Sequence, residues 1–362
     1  MSKKKIINFA VGPVMMQSDI LKIGLEQVPY FRTDDFSNLS LNNEEMLLNL
    51  IGAPKDSRAI FLTGSGTAAM EASVMNILNK NDKVLVVNGG SFGARFKQIC
   101  DIHGLNIDEI KLSHFEQLSQ EILDQYNGKG YTALLINVHE TSTGVLYDMK
   151  LVSEFCKRNN ILLIVDAISS FLADHFNMAA YRANVTILSS QKAIALPPGM
   201  SYIIVDQFAQ ERINKNRINS LYFDLKRYLD DGERGQTPFT PAVSNLIQLN
   251  KRLKNIVEYG INNVIADVLE LAKDFRAKIV NLPLKIAHNL LSNALTPIIP
   301  QGKANAKEIF ETLKNDYGIF VVPSGGDLEQ TLFRVGHIGA LSIDDNKTLI
   351  NALNDMKENN KL

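Results

Sequence analysis

Short apolar runs alternating with amphipathic segments fill the first two thirds of this 362-residue chain and constrain its fold more than any other feature. Ala59-Ile60-Phe61-Leu62-Thr63, Lys83 to Val87, Ala133 to Val138 and Ile161 to Val165 have strand character. Ala68 to Leu78, Ser91 to His103 and Leu151 to Arg158 have helical spacing. Runs that are apolar throughout are buried on both sides, so the rhythm implies an α/β fold with a mostly parallel central sheet and helices on both faces. In such sheets, binding residues gather in loops at the carboxyl ends of the strands. After about Tyr259 the pattern changes. Helical stretches at Asn262–Ile279, Ala306–Tyr317 and Ile343–Lys357 surround the short strands Ile319–Val322 and Leu332–Val335. This predicts a smaller α+β domain over 259–362, after an amino-terminal segment and a larger domain over 1–258.

The charge balance excludes some partners. Lys+Arg 38 against Asp+Glu 39 leaves a net charge of −1, so no overall field draws in nucleic acid or an anionic membrane. Lys3-Lys4-Lys5 precedes an apolar stretch, but Gly12-Pro13 interrupts it and no small-residue cleavage site follows, so no secretory signal is expected. No run approaches the ~18 apolar residues of a membrane span. Cys100 and Cys156 are the only cysteines, and the six histidines stand singly. That pattern carries neither a zinc spacing nor a disulfide framework, and the expected location is a reducing cytoplasm.

Four motifs lie at predicted strand ends, and each also has a plain structural reading. Thr63-Gly64-Ser65-Gly66-Thr67 joins a strand to a helix. Its glycines let backbone approach an anion, and Ser65 and Thr67 add hydroxyls beside free helix-start amides, which suits a phosphate or serves as an ordinary capping turn. No Gly-Lys-Ser/Thr follows, which excludes a Walker A loop, and the third glycine of a dinucleotide fingerprint is missing. Phe92, within Asn88-Gly89-Gly90-Ser91-Phe92-Gly93-Ala94-Arg95, is able to lie against a planar ring or to fill a core. Thr141, within His139-Glu140-Thr141-Ser142-Thr143-Gly144, is able to bond a ring hydroxyl or to belong to a turn. Asp166 ends an apolar strand and needs a partner there, whether a pyridine nitrogen, a magnesium ion or a helix start.

A fifth residue joins them into one chemistry. Lys192, in Ser190-Gln191-Lys192-Ala193, follows the strand pattern Val185-Thr186-Ile187-Leu188 and precedes the turn Pro197-Pro198-Gly199. A lysine so placed can form a Schiff base with an aldehyde cofactor, and pyridoxal 5'-phosphate is the candidate. Phosphate cradle, ring face, ring oxygen, ring nitrogen and lysine then each have a residue at a strand terminus.

Over nearly its whole length the chain resembles the class V aminotransferases of fold type I. The residues that carry the likeness are Gly64 to Ala72, His139 to Gly144, Val165-Asp166-Ala167 and Ser190-Gln191-Lys192. The resemblance implies that Ser65, Gly66, Thr67 and Gln191 hold the cofactor phosphate, and that Thr240 reaches the phosphate of a neighbouring subunit, making the active unit a homodimer. It also implies that Arg334 binds a substrate carboxylate in a two-pronged contact, and that the Gly12-Pro13 segment closes over the substrate. Arg32 would touch a substrate anion or tie the two domains together, and the structural role is favoured.

Within the family, Gln191-Lys192-Ala193 with Pro197-Pro198-Gly199 is similar to alanine–glyoxylate aminotransferases. Asn88 to Arg95 and Phe333-Arg334-Val335-Gly336-His337-Ile338-Gly339 are more similar to 2-aminoethylphosphonate–pyruvate transaminases. The expectation is a ping-pong transamination in which freed Lys192 removes and returns the substrate proton. 2-Aminoethylphosphonate with pyruvate is the favoured pair, and alanine or serine with glyoxylate the alternative. A cofactor-binding protein without activity would typically lack Lys192 or Asp166, and a desulfurase would need a cysteine in the carboxyl-terminal half, where none occurs.

Overall fold

The structure, a computed structural model, describes residues 6–362; the basic cluster Lys3-Lys4-Lys5 lies outside the described residues. A seven-stranded sheet runs in the spatial order Arg58–Thr63, Met200–Val205, Val185–Ser189, Leu162–Asp166, Ala133–Asn137, Lys83–Asn88, Asn106–Lys111. Met200–Val205 is antiparallel to both of its neighbours, and all the remaining pairs are parallel. The expected mostly parallel sheet is therefore present.

Alternate residues of these strands enter two different cores. Ile60, Leu62, Val84, Val86, Leu135 and Ile164 pack on one face. Phe61, Leu85, Val87, Leu134, Leu163 and Val165 pack on the other. Both faces need cover because every second side chain points the opposite way. Helices Gly66–Ile77 and Ser91–Ile102 shield the first face, burying Met70, Val74, Phe96 and Ile99 there, and helix Met149–Asn159 buries Val152 and Phe155 on the second.

From Lys83–Asn88 the chain first adds Asn106–Lys111 on one side and then Ala133–Asn137 on the other. The strand order reverses there, opening a crevice at the carboxyl ends. Residues 88–92 and 138–141 leave the sheet at that reversal.

Helix Val243–Tyr259 ends at Gly260, whose φ of 92° suits a residue without a side chain, and helix Ile261–Lys278 follows. Residues 258 and 259 are the last two of the first of these helices. Beyond both helices, Leu284–Ile286, Leu295–Pro300, Phe333–Gly336 and Val322–Pro323 form an antiparallel sheet in that order. Its third core holds Phe275, Ile298, Phe333, Val335 and Leu353, and also Phe9 from the amino terminus. Strand Ile7–Asn8 pairs in parallel with Ile319–Phe320. The amino-terminal segment thereby crosses from the small sheet toward the large one.

Some sequence expectations shift at their ends. The helix expected over Ala306–Tyr317 becomes a regular helix over Ala306–Thr312 and a widened turn over Leu313–Tyr317. The run Ile319–Val322 divides between two sheets, because Val321 separates Ile319–Phe320 from Val322–Pro323.

Candidate active site

Strand Leu162–Asp166 delivers Asp166 to the carboxyl edge, in register with Asn137 on one side and Ile187 on the other. Its side chain is 5 % exposed. Oδ1 accepts the Ile168 amide at 2.8 Å, and no ion pair neutralises the carboxylate among the described residues. Burial, with the nearby Glu140 charge, raises its pKa to about 6, against that hydrogen bond and the cations Lys192 and Arg95. No group of three His, Cys, Asp or Glu side chains able to hold a metal occurs among the described residues.

Three residues past strand Val185–Ser189, Lys192 is half-buried, and its Nζ donates to the Val11 carbonyl at 2.8 Å. Burial lowers its pKa to about 8; Asp166 opposes that shift, while Arg334 and Arg95 add to it. Each of Asp166 and Lys192 favours the charged form of the other. Gly12 closes the lysine's other side: at φ 135° it takes a backbone conformation that favours glycine, and a Cβ there would lie 2.7 Å from Lys192 Cδ. Val14 N–H donates to the Gln191 carbonyl at 3.2 Å, fastening the same segment to the lysine loop.

The glycine turn stands against the Asp166 loop. Ser65 is exposed and caps helix Gly66–Ile77, its Oγ accepting the Ala68 amide at 3.4 Å. Gly66 is buried, and a Cβ on it would come within 2.4 Å of Ile168. Gly64 N–H donates to the Gly199 carbonyl at 2.9 Å, which ties this turn to the end of the Pro197-Pro198-Gly199 turn. Thr67 Oγ1 accepts from Arg95 Nη1 at 3.1 Å, and the Gln191 side chain accepts from Ser189 Oγ at 2.5 Å. Thr240 is exposed and bonds to none of these groups. Two residues on, Ala242 N–H donates to Thr63 Oγ1 at 3.0 Å, so the segment runs past the glycine turn.

Phe92 is half-buried and outside all three cores, which removes the core-phenylalanine reading. Arg95 lies 5.1 Å from its ring centroid. What fixes Phe92 is a residue that motif reading passed over. Helix Ser91–Ile102 has Gly90 as its cap and so lacks a capping side chain. Buried Glu140, from the neighbouring strand end, supplies it. Its Oε2 accepts the amides of Phe92 and Gly93, both at 3.2 Å, and also Asn137 Nδ2 at 3.2 Å. A carboxylate at a helix amino terminus is favourably placed. The signal in the sequence was a glutamate in a strand-end motif near a glycine-led helix that has no cap of its own.

Thr141 Oγ1 donates to Ser169 Oγ at 2.8 Å, and His139 Nδ1 meets the same oxygen at 3.0 Å. His139 is fully enclosed, and burial, with the Lys192 and Arg334 charges, lowers its pKa to about 3, so the ring is neutral. Arg334 arrives on strand Phe333–Gly336 of the small sheet and is 9 % exposed. Nη1 donates to the Thr141 carbonyl at 2.7 Å and Nη2 to the Pro323 carbonyl at 2.9 Å, while buried Nε has no partner. Arg32 is committed elsewhere: Nη1 donates to Gln236 Oε1 and the Thr237 carbonyl, at 3.1 and 2.9 Å. Both partners lie within residues 1–258, so these bonds hold Arg32 inside the larger domain and do not form the expected tie between the two domains.

The profile of the aminotransferase class-V family matches residues 32–327. The chain belongs to the class V aminotransferases. It is 33% identical over 340 residues to an uncharacterised aminotransferase of Methanocaldococcus jannaschii, covering 91% of this chain and 86% of that protein. It is 31% identical over 304 residues to a protein named as the small subunit of a soluble hydrogenase from Synechococcus sp., covering 82% and 79%. Relatives named for a substrate stand slightly further off. The 2-aminoethylphosphonate–pyruvate transaminase of Pseudomonas putida is 28% identical over 89% of both chains, and the serine–glyoxylate aminotransferase of Hyphomicrobium methylovorum 28% over 79% and 74%. The ureidoglycine–glyoxylate aminotransferase of Bacillus subtilis superimposes with a TM-score of 0.93 over 100% of this chain and 95% of its own, at 20% identity, and shows the shared fold type I architecture.

Class V aminotransferases use pyridoxal phosphate, and the residues present fit it. A buried carboxylate without a counter-ion suits a protonated ring nitrogen. A half-buried lysine shares its electrostatic field, and a glycine turn opening a 12-residue helix suits the phosphate.

Proposed function

We propose that this aminotransferase runs a ping-pong transamination between an amino donor and a small 2-oxo acid, with Lys192 moving the proton. The observation that carries this reading is the Lys192 amine, held by burial and two guanidiniums at a pKa of about 8, so that free base is available near neutral pH. Bound pyridoxal phosphate would supply the aldehyde that takes up the amino group and a ring that stabilises negative charge at the donor carbon. Asp166 would keep the ring nitrogen protonated, Phe92 would cover a ring face, and Thr141 would accept from the ring hydroxyl. Ser65, Gly66, Thr67, Gln191 and the partner subunit's Thr240 would hold the phosphate. Gly12 would leave room beside Lys192, and Arg334 would take the substrate carboxylate.

The homodimer is part of this proposal. Thr240 is exposed and bonds to nothing at its own site, and Leu25, Tyr30 and Leu221 are 88%, 70% and 64% exposed, apolar side chains that a second subunit would cover. Cys100 and Cys156 are both buried free thiols, which supports a cytoplasmic location. No helix of the described residues is long and apolar enough to cross a membrane.

For the donor, the contact of Arg95 with Thr67 favours one of the two chemistries. With Arg95 committed to the phosphate cradle, Arg334 is the guanidinium left beside Thr141 for substrate, and it suits a single carboxylate. That supports alanine or serine with glyoxylate. The second reading, 2-aminoethylphosphonate with pyruvate, draws on the motifs around Arg95 and Arg334 and needs Arg95 to turn toward the doubly charged phosphonate. Half-reactions with the purified holoenzyme separate them: alanine or serine should bleach the bound cofactor, and bleaching by 2-aminoethylphosphonate alone would reverse the assignment. Lys192→Ala tests the chemistry itself, since an unchanged visible spectrum together with retained turnover would refute it.

A further inference from the structure

A cavity of about 170 Å³ lies beside Ala193, the residue after Lys192, with apolar walls from Leu172, Val264, Val268 and Leu271. One charged side chain faces it from within the fold. Arg252, on helix Val243–Tyr259, is 8 % exposed, and its Nε donates to the Ile194 carbonyl at 3.0 Å while Nη1 donates to Gln17 Oε1 at 3.2 Å. Both partners are neutral, and no carboxylate pairs with Arg252 among the described residues. Asp19, the acid whose charge reaches it, is held by Asn255 at 2.8 Å and by Lys251 at 4.0 Å. An enclosed cation without a counter-ion is costly, and an anion entering the cavity would remove that cost. At the mouth, exposed Asp267 accepts from Tyr259 OH at 3.2 Å. Its negative charge would disfavour a second charge on the ligand, while the walls favour an aliphatic tail.

We propose that this cavity is a binding site, separate from the Lys192 and Arg334 pocket, for a short aliphatic monocarboxylate whose carboxylate pairs with Arg252. The site is positioned to act on catalysis. Ile194 lies two residues after Lys192, and Gln17 follows the Gly12-Pro13 segment that borders it, so the guanidinium already links the two strips of chain enclosing the lysine. An anion on Arg252 changes the charge balance of that link without entering the substrate pocket.

The test is calorimetric titration of the holoenzyme with isovalerate and with its neutral isostere isovaleramide. Isovalerate is expected to bind and to raise the thermal midpoint, with the amide about tenfold weaker or worse because it cannot pair with the guanidinium. Arg252→Met should weaken isovalerate by about tenfold or more. Val268→Phe, which fills the cavity and leaves Arg252 in place, should do the same, and Arg334→Met should leave binding within about twofold. The proposal is overturned if isovalerate does not bind at about 10 mM, or if the amide binds equally well. It is overturned too if Arg252→Met and Val268→Phe both bind like the parent, or if Arg334→Met alone abolishes binding, which would locate the acid in the substrate pocket.

Discussion

The absent side chain of Gly12 is what gives Lys192 its place: a Cβ there would stand 2.7 Å from the lysine Cδ and 3.0 Å from Nζ. Backbone from the amino-terminal segment forms a wall of the lysine's pocket, and Val11 accepts its amine at 2.8 Å.

Gly12→Ala should therefore damage function more than folding. The lysine stem is flexible and would yield, while the φ of 135° adds local strain of about 1–3 kcal/mol. Turnover should fall about tenfold or more, with a changed visible absorbance of the holoenzyme. Parent-like turnover and spectrum would contradict this account of the wall.

Glu140→Gln should loosen Phe92. The amide keeps one acceptor oxygen but loses the charge that serves the amides of Phe92 and Gly93, at a cost of about 1–2 kcal/mol. Weaker cofactor affinity in equilibrium dialysis, with a smaller effect on turnover at saturating pyridoxal phosphate, is the expected pattern. Glu140→Asp, a shorter acid, should not restore it.

Asp166→Asn separates stability from catalysis through pH. The folded-state pKa is raised from 3.8 to about 6, so the carboxyl's favourable contribution is fully present below 3.8 and is lost as pH rises through 6. Above that, the ionised group costs the apoprotein about 3 kcal/mol. Apo Asp166→Asn should melt higher than the parent at pH 8 and alike at acid pH, yet lose most of its turnover. Equal melting at pH 8 would show the carboxylate already compensated.

Lys192 titration should govern cofactor uptake. Its pKa falls from 10.5 to about 8, so the free-base fraction rises with pH and saturates above that value. The rate of apoprotein reconstitution, followed by absorbance, should climb through about pH 8 and level off. A rate still climbing toward pH 10 would mean an unperturbed lysine.

Much of the sheet was legible because its strands are buried on both faces and their apolar runs bear no other reading. Asn106–Lys111 was not, since an edge strand in which Asp108 and Glu109 separate Ile107 from Ile110 has neither a continuous apolar run nor an alternating one. The division of Ile319–Val322 between two sheets was hidden too, because periodicity reports exposure and says nothing of which neighbour a strand will choose. Among site residues, Asp166, Lys192, Phe92 and Thr141 could be picked out as chemical groups at strand ends. Glu140, His139 and Ser169 stayed silent, as their importance lies in partners up to 48 positions away.

Local order along the chain thus determined the α/β class, the strand termini and the family chemistry, because apolar periodicity and the strand-end motifs are properties of neighbours in sequence. Three matters waited for tertiary structure: Gly12 against Lys192, Glu140 capping a helix it does not belong to, and Arg334 reaching Thr141 from the second sheet. Each joins residues 48 to 193 positions apart, and only folding sets the distances and the burial on which their electrostatics depend.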